Sequence, residues 1–309
     1  MMGTTVTLPA TIDRVADGWP AHNSLLLMLG AGDKLVATIA SVQQIPWFQR
    51  VYPRIGTLPA PFAENVNTEE LLRAHPDVVF LSQTDAGTLQ RIRALGLPVI
   101  QLYFTDFDQL KQSFVLTGSV LGGDHEVRAQ RYASYLDEHL ATITARTATI
   151  SADHRPSVVH LASVEPLKVD GRNSIIDQWI TTAGGKNAAH DDIDGNLQGT
   201  SLEQLLTWNP DVLIVGGTVG QVEQIKADPR WQRLKAVQAG RVYLNPKGVF
   251  PWDRYGPEEA LQIQWAAQTL HPSLFQDLDV VQATRAFYRE FFSYELTDGD
   301  VADIMAPRS

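Results

Sequence analysis

Eight histidines, thirty-five carboxylates and no cysteine bound the chemistry open to this chain of 309 residues. Without cysteine there are no disulfides, zinc fingers, iron–sulfur clusters or thiol nucleophiles. The histidines show neither H-E-x-x-H nor any other paired spacing, and there is no G-x-S-x-G elbow, so no metalloprotease or serine-hydrolase constellation is present. Gly30-Ala31-Gly32 begins like a dinucleotide fingerprint, but Leu35 stands where the third glycine belongs and the pair follows a helical pattern; it reads as a helix-ending turn. Gly184-Gly185-Lys186 is followed by Asn187, with Ile180 in place of the first glycine of a phosphate loop. His190-Asp191-Asp192-Ile193-Asp194-Gly195 imitates part of a calcium loop, yet Ser201 occupies the position that needs a bidentate Glu, so a solvated acidic loop is expected. A chain with no catalytic constellation is expected to bind a molecule rather than transform it, with no cofactor and no metal ligands of its own.

Asp and Glu exceed Lys and Arg by 35 to 25, a formal net charge of −10, and no basic cluster overrides that average. An acidic surface repels phosphate backbones, which argues against nucleic acid and against polybasic attachment to membranes. No stretch approaches the roughly 18 consecutive apolar residues that span a bilayer. Met1-Met2-Gly3-Thr4-Thr5 lacks the basic and apolar regions of a secretory signal.

The elements that must position any site alternate between apolar runs of strand length and longer amphipathic stretches, the pattern of parallel α/β architecture. Strands are expected at Val15 to Ala16, Leu35 to Ile39, Val78 to Leu81, Val99 to Tyr103, Val158 to Leu161, Val212 to Val215 and Val242 to Leu244. Between the two groups runs a helical pattern from Asp124, a candidate N-cap after Gly122-Gly123, to about Arg146. Ala129, Ala133, Leu136, Leu140 and Ile143 share one face, and at 1.5 Å per residue the helix would be about 34 Å long. The organisation expected is an α/β lobe over 1–121, a connecting helix over 122–148 and a second α/β lobe over 149–309. An internal echo supports two similarly built lobes. Glu69-Glu70-Leu71-Leu72-Arg73-Ala74-His75-Pro76-Asp77-Val78 aligns with Glu203-Gln204-Leu205-Leu206-Thr207-Trp208-Asn209-Pro210-Asp211-Val212. Each copy reads as a short helix, a Pro-Asp stop and an apolar strand running into a small-polar loop, Ser82 to Gly87 or Gly216 to Gly220.

In chain order, Arg14-Val15-Ala16, Asn23 to Leu29 with Gly30-Ala31-Gly32-Asp33, Arg54-Ile55-Gly56-Thr57, and Asn67 to Leu72 with Pro76-Asp77-Val78 resemble the first-lobe signatures of a known family. It is the class III substrate-binding proteins, with a single connecting helix, of ABC importers for iron-siderophores, vitamin B12 and related metal chelates. Asp170-Gly171-Arg172-Asn173-Ser174, Ala183 to Ala188, Ser201 to Leu206 with Pro210-Asp211-Val212, and Gly240-Arg241-Val242-Tyr243 are similar in kind and order to the second-lobe set. The resemblance implies two Rossmann-like lobes joined by one long α-helix, a ligand cleft between them, no enzymatic activity and no metal except within the bound chelate. It implies a monomer in the periplasm, its signal peptide removed, that hands its cargo to the permease of an ABC importer. A ferric siderophore is the first cargo it suggests, with cobalamin, haem, a nickel chelate or molybdate as alternatives. A chelatase-like enzyme using His22 or His160 as general base is the rival from another class, and a signalling ectodomain binding the same cargo is a third.

The same resemblance places Glu69 and Glu203 where each lobe presents a carboxylate to permease arginines. As early-helix acids they also suit the helix dipole, after Asn67 or Thr68 and after Ser201 as caps. Ligand contacts are expected from loops at the carboxyl ends of the strands, where aromatic faces and arginine forks hold a planar anionic chelate. Trp47, Tyr52, Tyr103, Arg172, Trp252, Arg254 and Tyr255 meet that description, with Arg50 and Arg54 nearby. So many large aromatics weigh against bare molybdate, which wants a tight pocket of small donors. Trp179, Trp208, Trp231 and Trp265 are expected in the core, and Thr284 to Tyr294 reads as an amphipathic helix packed on its aromatic face.

Overall fold

The computed structural model describes residues 5–63, 66–84 and 86–307. The first four residues and Asp85 of the expected Ser82 to Gly87 loop lie outside them. The chain forms two α/β units, one from Met1–Ser134, Tyr255–Pro257 and Phe287–Tyr294, the other from Tyr135–Arg254, Glu258–Ala286 and Glu295–Ser309.

In the first unit, β1 (Val15–Asp17), α1 (Pro20–Met28), β2 (Leu35–Ala37), α2 (Ala40–Gln43), α3 (Pro46–Val51), α4 (Thr68–Arg73), β3 (Val78–Leu81), α5 (Ala86–Ala94), β4 (Val99–Gln101) and α6 (Phe107–Leu121) lead into α7 (Asp124–Thr147). The sheet has the order β2-β1-β3-β4, with every pairing parallel. A parallel sheet is covered on both faces, which is why these strands are apolar runs. β2 stops two residues earlier than expected because the Thr38 N–H leaves the ladder for the Pro59 carbonyl at 2.9 Å. α7 begins at Asp124 itself, so this residue is a first-turn acid rather than the cap.

The second unit contains β5 (Ser157–Val164), β6 (Leu167–Val169), α8 (Ile175–Thr182), β7 (Lys186–Asn187), β8 (Gln198–Gly199), α9 (Leu202–Trp208), β9 (Val212–Val215), α10 (Val219–Ala227), α11 (Lys235–Gln238), β10 (Val242–Leu244), α12 (Glu259–Leu270), α13 (Val280–Phe287) and α14 (Asp298–Met305). Its parallel ladders run β7 to β5, β5 to β9 and β9 to β10, the same winding as β2-β1-β3-β4. Beyond the expected strand Val158 to Leu161 the chain forms a hairpin: Ser163 pairs with Lys168 and Val164 with Leu167, and β6 and β8 extend the sheet antiparallel. In both units winding reverses between the central strand and the one after the echo, β1 against β3 and β5 against β9. The crevice outside the carboxyl ends at such a reversal is where α/β sheets bind ligands.

The sequence echo is structural. His75 and Asn209 end their helices in left-handed conformations, with φ of 45° and 43°. The Asp77 carboxylate then accepts the N–H groups of Asp13 and Arg14, each at 2.8 Å, and Asp211 accepts that of Ser157 at 2.9 Å. In the same places the Asp77 and Asp211 N–H groups donate to Arg14 and Ser157 carbonyls. Asn67 caps α4 through the Glu70 N–H and Ser201 caps α9 through that of Gln204.

Of the tryptophans expected in the core, Trp179 and Trp231 are buried, while Trp208 and Trp265 are half-buried and Trp208 donates to Asp192 at 2.6 Å. α13 passes into a π-helical turn, Tyr288–Phe292, in which Tyr288, Phe291 and Phe292 are buried together with Phe287. No described helix is long and apolar enough to cross a membrane.

Within the first unit α6 and α7 approach closely at Gly118, where an added Cβ would lie 2.6 Å from Ala129 Cβ and 2.9 Å from the His125 carbonyl oxygen. Gly118→Ala is therefore expected to cost about 1–3 kcal/mol by overpacking. Ala129→Gly on that background should restore part of the loss, as urea-unfolding midpoints of the two variants will show; additive losses would reject the steric account.

Candidate functional site

At the first unit's winding reversal, Asp17 closes β1 and is wholly buried. One of its oxygens accepts the Trp19 N–H at 2.9 Å and the other lies 2.7 Å from His22 Nδ1. His22 Nε2 is 2.9 Å from Thr117 Oγ1, whose own hydroxyl donates to the Ser113 carbonyl. Nε2 must therefore carry a proton, and one further proton is shared between Nδ1 and Asp17. Burial pushes the Asp17 carboxyl up against the pull of His22. Above this pair Trp19, Phe104 and Tyr255 form an aromatic group with centroid separations of 5.4, 5.5 and 6.3 Å.

In the second unit the equivalent strand position holds His160. β1 pairs Val15 with Val78 and Asp17 with Phe80; β5 pairs Val158 with Val212 and His160 with Ile214. Asp17 and His160 thus sit two residues beyond corresponding valines. His160 Nδ1 is hydrogen-bonded to Asp170 Oδ2 at 2.7 Å, and its Nε2 lies 2.7 Å from Asp253 Oδ2 in an ion-pair contact without hydrogen-bond alignment, with all three side chains buried. An imidazole facing an anionic oxygen on both sides carries both protons. Burial opposes that charge, but the carboxylates outweigh it and the His160 pKa is raised. Burial likewise works against the Asp253 carboxylate, and Arg254 with His160 brings its pKa below the usual value. Arg254 lies 3.7 Å from both Asp170 and Asp253.

Gly216 follows β9 so closely that an added Cβ would lie 3.0 Å from Asp253 Oδ2 and 3.3 Å from His160 Nε2. A cavity of about 160 Å³ opens there between Gly216–Thr218 and Asn245–Lys247, closed by Pro251 and Asp253. Burial pushes the Lys247 amine down while Asp253 supports its charge.

The expected site residues scatter. Trp252 is fully buried, and Trp47 is buried edge-on to Tyr288 and Tyr294 with Arg50 stacked 4.6 Å above it. Tyr52 lies against Gly32 at the turn entering β2, the end of the sheet opposite the reversal, and its hydroxyl is 3.4 Å from Asp33, which also faces Arg54 at 3.6 Å. Arg172 is bound within its own loop by the Asp191 carbonyl and by Asp194, so the acidic 190–195 loop is bonded rather than merely solvated. Tyr103 is 44% exposed after β4, Tyr255 joins Trp19, and Arg254 joins the His160 cluster. Glu69 and Glu203 are exposed in the first turns of α4 and α9, helices that start at the carboxyl end of their own sheets. Trp19 and Lys247 have no counterpart among the residues expected from sequence, and Asp170 stands there only within a second-lobe signature. His22 and His160, weighed there as chelatase bases, are buried, His22 hydrogen-bonded on both nitrogens and His160 bonded at Nδ1 with Nε2 in ion contact with Asp253. The available signal was a titratable residue inside each apolar strand run, Val15-Ala16-Asp17 and Val158-Val159-His160.

The His160 contribution to stability is complete below the ordinary imidazole value and is lost as pH rises through its raised one. That of Asp253 is complete above the ordinary carboxylate value and is lost as pH falls through its depressed one. His160→Leu leaves Asp170 and Asp253 with Arg254, 3.7 Å from each, as their one remaining counter-charge among these groups, and is expected to cost about 3–5 kcal/mol at neutral pH, less where acid protonates the two carboxylates. Urea unfolding at two pH values checks this, and a loss independent of pH would contradict it.

A profile of the periplasmic binding protein family matches residues 20–248. The molybdate-binding protein MolA of Haemophilus influenzae is 27% identical over 93% of this chain and 88% of its own length. A vitamin B12-binding protein of Yersinia pestis is 26% identical over 72% of this chain and 76% of its own. Among solved structures, Haemophilus influenzae MolA bound to molybdate has a TM-score of 0.87 at 24% identity, covering 95% of this chain and 97% of that one. A periplasmic solute binding protein from Veillonella parvula reaches 0.84 at 26% identity, covering 99% and 95%. These relatives bind and deliver solutes and are not enzymes. The two α/β units with their shared winding and the family match over residues 20–248 agree: the chain belongs to the periplasmic binding protein family of ABC importers.

Proposed function

We propose that the protein captures an anionic metal species in the periplasm and delivers it to the permease of an ABC importer. The observation that carries this reading is the cavity at the second unit's winding reversal. Its walls are the Gly216–Thr218 loop, Asn245, Lys247, two prolines and Asp253, whose charge His160 and Arg254 offset, with no large aromatic among its lining residues. Sites for drug-sized ligands are roughly 300–1,000 Å³, so about 160 Å³ suits a compact oxyanion. Molybdate is the first cargo, in keeping with the likeness to MolA over nearly the whole chain. The aromatics that weighed against it in the sequence stand elsewhere: Trp47 and Trp252 are buried, and Tyr52 lies at the other end of its sheet.

A ferric siderophore, or another planar chelate, is the second reading. It is favoured by the half-buried Trp19 and Tyr255 rings and by exposed Tyr103, an aromatic surface that a bare oxyanion does not need. Titration of tryptophan fluorescence with molybdate, ferric catecholate, ferric hydroxamate, cobalamin, haem and nickel-histidine separates the two. Saturation by molybdate below about 10 μM, roughly −7 kcal/mol, supports the first. Saturation by a ferric complex alone transfers the case to the second, and no binding by any of them would falsify both.

Glu69 and Glu203 are the carboxylates proposed to meet the permease. Glu203 is held ionised by its own backbone N–H and by Ser201, with a pKa below the usual value, whereas Glu69 pairs with Arg73 at 2.5 Å along one helix face. Two exposed carboxylates, one per unit, give orientation and encounter rate more than affinity. Glu69→Ala with Glu203→Ala is expected to leave solute affinity unchanged and to reduce stimulation of the reconstituted importer's ATPase about tenfold or more. Undiminished stimulation would reject the docking role.

A further inference from the structure

We propose that His160 is a positioning residue of the solute site: held between Asp170 and Asp253, it fixes the Lys247–Arg254 segment against the Gly216–Thr218 loop and so keeps the cavity in its solute-accepting form. The inference rests on reading that cavity as the solute site. Of the three partners, Asp170 is the anchored one: its Oδ1 accepts the Leu197 N–H at 2.8 Å and its carbonyl accepts from Asn187. Asp253 is the one that belongs to the cavity wall. His160, fixed on β5 by its ladder with β9, carries the rigidity of the first to the second through contacts of 2.7 Å on either side of one ring. Because Gly216 presents only hydrogen to Asp253 and His160, a small movement of that pair moves the cavity wall directly.

The charges give the device a chemical sense. The ring faces Asp170 beyond β6 and Asp253 after β10; Arg254 lies 3.7 Å from both carboxylates and Lys247 lines the cavity with Asp253, while α8 contributes Trp179 edge-on at 5.7 Å and the β9 loop contributes Gly216, neither of which titrates. With His160 protonated, His160, Arg254 and Lys247 oppose Asp170 and Asp253, so this cluster has one positive charge in surplus, as an oxyanion requires; the buried Glu258 carboxylate is turned instead to the Val249 and Phe250 N–H groups. Loss of the His160 proton removes that surplus and leaves Asp253 facing a lone pair. The first unit retains the same kind of pair at the equivalent strand position, Asp17 with His22, with acid and base exchanged. A group kept only to fill space would not be expected to recur as a buried acid–base pair.

The test is the molybdate Kd, with ferric catecholate as second probe, from about pH 6 to about pH 10. The wild-type protein is expected to lose affinity on the alkaline side, approaching about tenfold per pH unit. Lys247→Arg, which cannot deprotonate in that range, should keep the fall; a flat profile for this variant would assign the transition to Lys247 and overturn the proposal. His160→Gln should bind about tenfold more weakly with no alkaline fall. Because an unpaired Asp253 endangers folding, His160→Gln with Asp253→Asn is the companion: it should unfold near the wild-type midpoint yet show the same weak, flat binding. Wild-type affinity in the double variant, or a wild-type profile without an alkaline fall, would overturn the inference while leaving the cavity as the solute site. Failure of the wild-type protein to bind either probe overturns the reading of the cavity, and this inference with it.

Discussion

Everything in each unit depends on where its central strand begins. A carboxylate two residues past the left-handed residue that follows each helix, Asp77 or Asp211, receives N–H groups at the opening of that strand, and its own N–H returns to the same segment. Proline just before it ends the helix, and a left-handed residue before the proline turns the chain. In a parallel pair, a slip of one residue would exchange the two faces of the strand. The Pro-Asp stop prevents that slip at the point where the ladder starts. With register fixed there, Asp17 and His160 fall at the same depth, under the crevice where winding reverses.

Electrostatics then decides what such a crevice can hold. A chain with a net charge of −10 that takes an anion must gather positive charge locally. The loop arginines do not supply it freely. Arg50 stacks on Trp47, Arg54 faces Asp33, Arg172 serves its own loop and Arg254 faces two carboxylates. The local surplus comes from an imidazolium and a half-buried lysine, which together outweigh the one carboxylate that Arg254 leaves uncompensated. Buried ion clusters are poor contributors to stability compared with apolar packing. Placing one beneath a binding loop is therefore more easily understood as a geometric and electrostatic requirement of the site than as a requirement of the fold.

The parts of the fold that follow from local pattern were legible: Val78–Leu81, Val212–Val215 and Val242–Leu244 are the expected strands residue for residue, and Asn67 and Ser201 are the expected caps. Those that arise from pairing were not. Lys186–Asn187 and Gln198–Gly199 are too short to show any period, and the hairpin at Ala162 to Lys168 is visible only once Val164 meets Leu167. The site failed for a related reason. Loop aromatics and arginines are conspicuous in sequence, yet whether an aromatic faces ligand or core depends on tertiary burial, and Trp252 went to the core. His160, Asp170 and Asp253 are assembled from three distant segments, which no local spacing can reveal.

Asp17 pairs with His22 as His160 pairs with Asp170, at equivalent strand positions of the two units. Around the Pro-Asp stop the two sequences still share Glu, Leu, Leu, Pro, Asp and Val, because backbone capping and strand burial demand particular residue types. At the central strand the residues differ, acid in one unit and base in the other, while the buried contact between carboxylate and imidazole is 2.7 Å in both. The constraint there acts on the pair and not on either residue. A buried carboxylate needs a protonated neighbour and a buried imidazolium needs an anionic one, so either member can occupy the strand provided the other reaches it from the adjoining segment. Sequence identity is lost at such a position while the physical requirement persists. The two units therefore correspond at this position in register and in the kind of pair they bury, not in residue identity.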